Sequence, residues 1–290
     1  MKKLGLILVV AFACSSPEES KVIDIQGHRG ARGLAPENSV EGFLMAAEMG
    51  VNTLELDLVV SKDGKLVVSH EPYFSPDFCL DTLGNTISED SLINIYELDY
   101  ADIRKFDCGS KGNSRFSEQK KISTPKPLLT DVLDTVEGFV LTSRPPIFYN
   151  IELKTTKETD SIYHPSPAVF SDLVYKSINE NNILDKANIQ SFDFRTLQYF
   201  NEKYPDVRLA LLIENNLTWK ENIDSLGFTP EIYSCDFELL TKEAVQEIQN
   251  AGMKVIPWTV NEISDLNKMF KWEVDGIITD YPDRALNLTR

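Results

Sequence analysis

Two acids and a histidine in one short stretch have the residue types and the spacing for chemistry. Residues 53–60 alternate between apolar and polar positions, so Glu55 and Asp57 point to the same face of a predicted β-strand. Two carboxylates at this spacing can converge on one hard cation that prefers oxygen ligands. The turn at 61–64 is too short for a parallel crossover, so a predicted β-hairpin returns His70 towards the acids. The stretch predicts a metal site or, in the simpler alternative, a polar hairpin with salt-bridged surface acids.

Polar side chains also follow other predicted strands. His28 and Arg29 end the first strand, Glu152 and Lys154 share one face of a later strand, and Trp258 lies near the end of another. Acids buried at strand ends without partners would be costly unless cations lay beside them. We therefore favour a divalent-cation site over scattered surface polarity. Its candidate ligands are Glu55, Asp57 and Glu152.

Together these side chains suit cleavage of a phosphodiester. Three carboxylates would hold Ca²⁺ or Mg²⁺ through oxygen ligands. Arg29 and Lys154 provide donors for a phosphate oxygen, while His28 and His70 provide two groups that transfer protons near neutral pH. One base, one acid and local positive charge are what a developing dianionic phosphate requires. The third histidine, His164, lies in a proline-rich loop and is predicted to be a surface residue.

Eight predicted strands alternate with helices when the hairpin arm ending at His70 is left out. The strands cover residues 22–30, 53–60, 147–154, 188–192, 208–213, 231–235, 254–260 and 276–280. This order predicts a (β/α)8 TIM barrel, in which the C-terminal strand ends build the active site. Residues 71–127 lose this periodicity, and they predict an irregular insertion over the active face after the hairpin of strand 2.

Two helix starts are predicted from their capping residues. Asn38 is the expected N-cap of the helix after the first strand, with Glu41 at its third position in a capping box. Thr130 is the expected cap of the helix that follows the insertion.

The start of the chain predicts export. Residues 1–13 have a charged start and an apolar run too short to span a membrane, which is typical of a signal peptide. Cys14 follows, and the segment resembles a bacterial lipoprotein signal with Cys14 as the lipidated first mature residue. An ordinary cleaved signal is the alternative. Residues 14–21 then form a polar tether, and residues 22–290 form the folded domain.

Composition restricts the partners of this domain. The chain has 290 residues and a formal net charge of −16, which argues against nucleic acid and against adsorption to anionic lipid. Membrane contact is therefore expected only through the lipid anchor. In an oxidising compartment Cys79 and Cys108, both in the insertion, are expected to form a disulfide, and Cys235 is expected to be a buried thiol.

The ordered motifs of the chain resemble those of the glycerophosphodiester phosphodiesterase family. They are His28-Arg-Gly30, Pro36-Glu-Asn-Ser39, Glu55-Leu-Asp57, Lys62-Asp-Gly64, His70, Asn150-Ile-Glu-Leu-Lys154, Ser191-Phe192, Trp258-Thr-Val-Asn261 and Asp275-Gly-Ile-Ile-Thr-Asp-Tyr-Pro282. Glu71 and Ser39 depart from the family, which commonly has Asp and Thr at these positions.

The resemblance implies metal-dependent hydrolysis of small-molecule glycerophosphodiesters to glycerol 3-phosphate and an alcohol. It implies metal ligands Glu55, Asp57 and Glu152, acid–base residues His28 and His70, phosphate contacts Arg29 and Lys154, and glycerol-pocket walls Phe192 and Trp258. The alcohol, the choice between Ca²⁺ and Mg²⁺, and the oligomeric state stay open.

Three other functions remain possible from the sequence. A phosphatidylinositol phospholipase C-like enzyme shares the barrel and the paired histidines, but its bacterial forms lack the metal that the three acids indicate. A sphingomyelinase D-like enzyme would need an apolar entrance, which this acidic chain does not suggest. An inactive binding lipoprotein would not need both His28 and His70.

Overall fold

A parallel barrel forms the centre of the protein. The structure, a computed structural model, describes residues 22–90, 92–143 and 145–289. Within these residues eight parallel strands follow one another around the barrel, and a ninth forms the hairpin arm. The strands are β1 Asp24–Gly27, β2 Thr53–Val60, β3 Leu66–Val68, β4 Phe148–Leu153, β5 Ala187–Ser191, β6 Arg208–Ile213, β7 Ile232–Cys235, β8 Lys254–Val255 and β9 Gly276–Thr279. The predicted (β/α)8 barrel and the antiparallel β2–β3 hairpin are both confirmed.

The barrel closes between its last two strands through single hydrogen bonds. Asp275 donates its backbone N–H to Val255 at 2.9 Å, and Ile278 donates to Pro257 at 2.9 Å. The predicted strand 254–260 is regular only in β8, because Pro257 has no N–H to donate to a neighbouring strand.

Helices surround the barrel in the order that the sequence predicts. They are α1 Val40–Met49, α2 Tyr100–Ile103, α3 Leu129–Ser143, α4 Pro167–Glu180, α5 Phe194–Lys203, α6 Trp219–Leu226, α7 Lys242–Asn250, α8 Ile263–Lys271 and α9 Pro282–Leu288. Side-chain caps start several of them, for example Ser166 at α4 and the Thr218–Glu221 capping box at α6. Their apolar faces cover the outer face of the strands and form the main core.

The inside of the barrel divides into a polar half and an apolar half. Because side chains alternate along a strand, every second residue points inward. On β6, β7 and β9, and directly after β8, these positions hold a small apolar cluster, formed by Ala210, Ile232, Ile256 and Ile278. On β1, β2, β4 and β5 they hold acids and amides. The C-terminal end of this polar half is where the predicted site lies.

Both predicted helix caps are wrong. Ser39, not Asn38, caps α1 by accepting from the N–H of Gly42, and Glu41 accepts from Thr124 instead of closing a capping box. Asn38 adopts a left-handed conformation with φ 53°, which asparagine tolerates, and this frees its amide for another partner. Thr130 lies inside α3, which begins one residue earlier than it.

The insertion has a small core of its own. A stacked pair, Phe74 and Phe106, lies in an apolar cluster with the disulfide Cys79–Cys108, which confirms the predicted pairing. Among the described residues of the insertion, regular structure is limited to α2 and a 3-10 turn at Ile95–Glu97. Cys235 is a buried free thiol in β7, as predicted.

Residues 1–21 lie outside the described part of the chain, and with them the predicted signal peptide, Cys14 and the tether. Among the described residues, the structure contains no helix of sufficient length and apolar character for a membrane crossing.

Candidate active site

Three acids meet where β2 and β4 pair side by side in the barrel. Glu55, Asp57 and Glu152 are all buried, and one potential ligand atom from each lies within 4.8 Å of the others. Strand pairing brings them together, because Asp57 is the partner of Glu152 across the parallel ladder. The predicted ligand set therefore forms a single acid triad.

The acid triad fits a divalent cation. Burial, together with the charges of Asp57 and Glu152, raises the pKa of Glu55 well above its usual range. Burial also raises the pKa of Glu152, although Lys154 opposes the shift. In contrast, the pKa of Asp57 is lowered despite its burial, because Arg29 and other cationic groups lie near it. Its Oδ1 is buried without a hydrogen-bond partner among the described residues, as expected of an atom meant for a metal.

Other side chains hold the triad in place. Gln190 donates from Nε2 to Oε1 of Glu55 at 2.8 Å, and the backbone N–H of Arg29 donates to Oε2 at 2.9 Å. Asn38 donates from Nδ2 to Oδ2 of Asp57 at 2.8 Å, which is the partner that its left-handed conformation serves. Gln190 had no role predicted from the sequence, and Asn38 was predicted only to be a helix cap.

The two predicted phosphate contacts lie beside the triad. Arg29 has φ 49°, and its Nη1 lies 2.9 Å from Oε1 of Glu37 while its Nε lies 3.3 Å from Asp57. Burial opposes the charge of Arg29, but Glu37 and Asp57 outweigh it and raise the pKa further. Lys154 lies 2.7 Å from Oε1 of Glu152 and 3.9 Å from Asp57. Both cations line the pocket.

His28 is held by an acid from the last strand end. Its Nδ1 lies 2.7 Å from Oδ1 of Asp280, and its Nε2 lies 4.0 Å from Oε2 of Glu55. Burial, with help from Arg32, lowers the pKa of His28 to about 3 although Asp280 acts in the opposite direction. The imidazole is therefore neutral near pH 7, with its Nδ1 proton on Asp280 and the Nε2 lone pair on the side of the triad.

Asp280 is itself held rigidly. Arg32 donates from Nε and Nη2 to its two oxygens at 2.7 and 2.9 Å, and Asn261 donates to Oδ2 at 2.8 Å. Asp280 lies in the last of the sequence motifs, where no role was predicted for it. Its position directly after β9 was the available signal, because strand ends in a barrel build the site.

His70 faces the same pocket from the hairpin side. Its side chain is 31% exposed, and its Nδ1 lies 2.9 Å from Oε1 of Glu71. Burial would raise the pKa of Glu71, but the contact with His70 and the charge of Lys126 lower it to about 2. Glu71, the departure from the family pattern, is therefore an ionised partner for His70.

Aromatic rings form part of the wall of the pocket, which has a volume of about 1030 Å³. Phe192 and Trp258 lie edge to face with their centroids 5.5 Å apart, and the indole N–H of Trp258 donates to Ser234 at 3.0 Å. The insertion adds Tyr73 and Phe116 to the walls.

The prediction for His164 is wrong. This histidine is only 2% exposed, because the loop after β4 folds back over it. Its Nε2 accepts from the N–H of Thr156 at 3.1 Å, and its Nδ1 lies 2.8 Å from the carbonyl of Pro165. It therefore supports the loop.

Comparisons with known proteins identify relatives over most of the chain. The profile of the "Glycerophosphoryl diester phosphodiesterase family" matches residues 28–284. A glycerophosphodiester phosphodiesterase from Bacillus altitudinis is 30% identical over 91% of this chain and 97% of that protein. One from Caldanaerobacter subterraneus is 29% identical over 91% of this chain and 96% of that protein.

Solved structures share the barrel. A structure from Silicibacter pomeroyi is 28% identical, with a TM-score of 0.83, over 93% of this chain and 95% of that one. An Oleispira antarctica phosphodiesterase in complex with the product sn-glycerol-3-phosphate is 20% identical, with a TM-score of 0.73, over 92% and 96% of the two chains, and supports the fold alone. The chain therefore belongs to the glycerophosphoryl diester phosphodiesterase family and is a phosphoric diester hydrolase built on a (β/α)8 barrel.

Proposed function

We propose that this protein hydrolyses glycerophosphodiesters to glycerol 3-phosphate and an alcohol, with Ca²⁺ or Mg²⁺ as cofactor. One observation carries the proposal: Glu55 and Glu152 of the acid triad line the same pocket as His28 and His70. The names of the relatives from Bacillus altitudinis and Caldanaerobacter support this substrate class.

The side chains around the triad bind and orient the phosphate. Glu55, Asp57 and Glu152 would hold the cation, which when bound supplies positive charge against the phosphate and lowers the pKa of a nearby hydroxyl. Arg29 and Lys154 provide further donors at the same edge of the pocket. Because both are already ion-paired to acids beside the pocket, their positions are set before substrate arrives.

The two histidines manage the protons. A glycerophosphodiester carries its own nucleophile, the 2-hydroxyl next to the phosphorus, so attack within the substrate needs no covalent residue of the enzyme. One histidine takes the proton of this hydroxyl and the other protonates the leaving alcohol. Water then opens the cyclic 1,2-phosphate to glycerol 3-phosphate, with the two roles exchanged.

Aromatic side chains suit the binding of the glycerol part of the substrate. Phe192 and Trp258 present an apolar edge at the pocket wall, and Nζ of Lys154 lies 5.9 Å from the Phe192 ring. We assign the glycerol carbons to this wall.

Turnover of glycerophosphocholine with and without a chelator tests the activity and its metal dependence. Chelation should abolish the release of glycerol 3-phosphate, and added Ca²⁺ or Mg²⁺ should restore it. Glu152→Gln should lose metal binding and turnover together. Full activity in protein verified to be free of metal would refute the ligand assignment.

Histidine variants test the proton transfers. His28→Ala and His70→Ala should each lower kcat by about 10²–10⁴-fold, the typical worth of general acid–base catalysis. Metal affinity, measured by calorimetry, should persist in both variants. A variant that keeps the wild-type rate would remove that histidine from the mechanism.

A substrate analogue without the 2-hydroxyl tests the cyclic intermediate. We expect it to bind and to resist cleavage. Hydrolysis at the rate of the parent diester would establish direct attack by water instead.

We also propose that the protein is an exported lipoprotein, anchored through Cys14. The support is the charged start, the short apolar run and the cysteine at its end.

A further inference from the structure

Four buried amides fill the polar half of the barrel below the acid triad. This amide chain consists of Gln26 on β1, Asn150 on β4, and Asn188 and Gln190 on β5. Gln190 donates from Nε2 to Oε1 of Glu55 at 2.8 Å, and its own Oε1 accepts from Nδ2 of Asn150 at 2.9 Å. The amide chain thus begins at a candidate metal ligand and runs towards the floor of the barrel.

The other end of the amide chain is also a carboxylate. Asn150 donates from the same Nδ2 to Oε1 of Gln26 at 2.8 Å, and Gln26 donates to Oδ2 of Asp24 at 2.7 Å. With a cation bound, Glu55 is an ionised carboxylate that only accepts hydrogen bonds, so Gln190 must turn its NH₂ group towards Glu55 and its oxygen towards Asn150. Gln26 likewise turns its NH₂ group towards Asp24 and its oxygen towards Asn150. Asn188 donates to Oδ1 of Asn150 and fixes the central amide in the same sense. Each amide can therefore adopt one orientation only.

Packing does not require these amides. The opposite half of the same barrel is filled by a small apolar cluster at equivalent inward positions. Burying four amides is tolerable only when each is hydrogen-bonded, and a partly satisfied network costs more than an apolar filling. The amide chain therefore has a role other than filling space. Because its first amide, Gln190, donates to Glu55, we infer that the chain positions the Glu55 carboxylate.

We propose that Gln190, oriented by Asn150, is a positioning residue that sets the affinity of the acid triad for its divalent cation. The inference rests on the proposed function in that the triad binds a cation. With Gln190 on Oε1 and the backbone of Arg29 on Oε2, the plane of the Glu55 carboxylate is fixed and each oxygen keeps a lone pair for the ion. Partners of this kind behind a metal ligand are typically worth about 10–100-fold in metal affinity.

Gln190→Met tests the donor directly. Methionine has a similar length and fills the same space without an N–H. Metal-free protein is titrated by calorimetry with Mg²⁺ and, separately, with Ca²⁺. We expect the dissociation constant to rise about 10–100-fold. The metal-induced rise in Tm should shrink accordingly, since that rise follows the ratio of metal concentration to dissociation constant.

Asn150→Asp tests the orientation of the amide chain at one remove from the ligand. The new carboxylate would face the oxygens of Gln26 and Gln190, so Gln190 must turn its own oxygen onto Glu55 to be satisfied. We expect at least about tenfold weaker cation binding. The added negative charge by itself would strengthen binding, so weaker binding isolates the reorientation.

Asn222→Asp is the matched control. Asn222 is a fully buried amide in α6, outside the barrel interior, with hydrogen bonds to Asn215 and Tyr233. The Asn222→Asp variant should be less stable than wild type, because it buries an acid without a cation beside it. Its affinity for both metals should equal that of wild type.

The outcomes separate this inference from the proposed function. If wild-type protein binds neither ion, the proposed cofactor is wrong. If wild-type protein binds an ion and both variants bind it equally well while their Tm falls, the amide chain is only structural and the inference is overturned. Should Gln190→Met fail to fold, the affinity of Asn150→Asp decides.

Discussion

The two histidines of the pocket depend on carboxylates at very different distances along the chain. Glu71 directly follows His70, whereas Asp280 lies 252 residues from His28. The second pair exists only because β1 and β9 are neighbours in the barrel. The orientation of His28 is therefore coupled to closure of the barrel, and that of His70 to the hairpin and insertion.

Asp280 should give the fold a dependence on acid pH. Burial would raise the pKa of Asp280, but His28 and Arg32 hold it well below its usual range. A carboxyl whose pKa is depressed in the folded state adds stability above its unfolded pKa of about 3.9, and that stability is lost as the pH falls through the folded-state pKa. At neutral pH, Asp280→Asn should cost about 3–5 kcal/mol, because Arg32 stays buried without its ion pair.

Urea unfolding at a series of pH values checks this prediction. The difference in free energy of unfolding between wild type and Asp280→Asn should be constant near neutrality and should narrow below about pH 4. The acids of the triad titrate in both proteins, so the change with pH reports on Asp280 together with His28, its hydrogen-bond partner. A difference that does not change with pH would contradict the assignment.

At the scale of elements, the loop between β1 and α1 is held by a close backbone contact. Gly30 has φ 86°, and a Cβ there would lie 2.6 Å from the backbone carbon of Gly42 in α1. This contact fixes the loop that carries His28 and Arg29.

Gly30→Ala should therefore damage both stability and activity. The left-handed conformation alone costs an alanine about 1–2 kcal/mol, and the clash with α1 adds to it. Gly227→Ala is the matched control, because Gly227 also has φ 86° but has open space around its Cβ position. Denaturant unfolding of both variants measures the difference. Equal losses in the two variants would show that the contact with α1 has no effect.

The insertion depends on its disulfide more than on regular structure. Cys79 and Cys108 are separated by 29 residues. A bridge across a loop of this size is worth about 3–4 kcal/mol when its effect on the unfolded chain is considered. Because Tyr73 and Phe116 of the insertion line the pocket, its loosening should also reduce turnover.

The double variant Cys79→Ser, Cys108→Ser checks this in denaturant unfolding, with reduced wild-type protein as a second measurement. Cys235→Ala, which removes the buried free thiol of β7, is the control for general loss of a core cysteine. Unfolding of the double variant at the wild-type denaturant concentration would contradict the prediction.

At the scale of the whole molecule, the chain enters the barrel at the end opposite the pocket. Val22 precedes the start of β1, whereas His28 follows its end. Cys14 is eight positions before Val22, so in the proposed lipoprotein a lipid on Cys14 would hold the barrel within about 30 Å of a membrane. The proposed lipid anchor would therefore attach to the barrel at the end opposite the pocket.

Cys14→Ser tests the anchor. We expect the variant to move from the membrane fraction to the soluble fraction with an unchanged kcat on glycerophosphocholine, since the residues proposed for the site all belong to the folded domain at 22–290. Mass spectrometry of the native protein should show an acylated Cys14. An unmodified mature terminus at another residue would refute the lipoprotein assignment.

Both the barrel and the acid triad could be predicted from the sequence alone. Strand and helix periodicities are local, and eight alternations permit few folds other than a barrel. Glu55 and Asp57 share a face because side chains alternate along a strand, and Glu152 joins them because strand ends meet at one rim. The disulfide could also be predicted from local sequence, since both cysteines lie in one insertion.

The side chains that support this triad could be identified only from the tertiary structure. Asp280 on His28 and Gln190 on Glu55 depend on the register of strands that are far apart in the chain. Asn38 and His164 were misplaced for the same reason. Capping statistics and a proline-rich context describe only the local surroundings of a residue. The actual partner of Asn38 is Asp57, and that of His164 is the backbone of its own folded-back loop. Hydrogen-bond partners across a barrel are set by packing, which residue spacing does not encode.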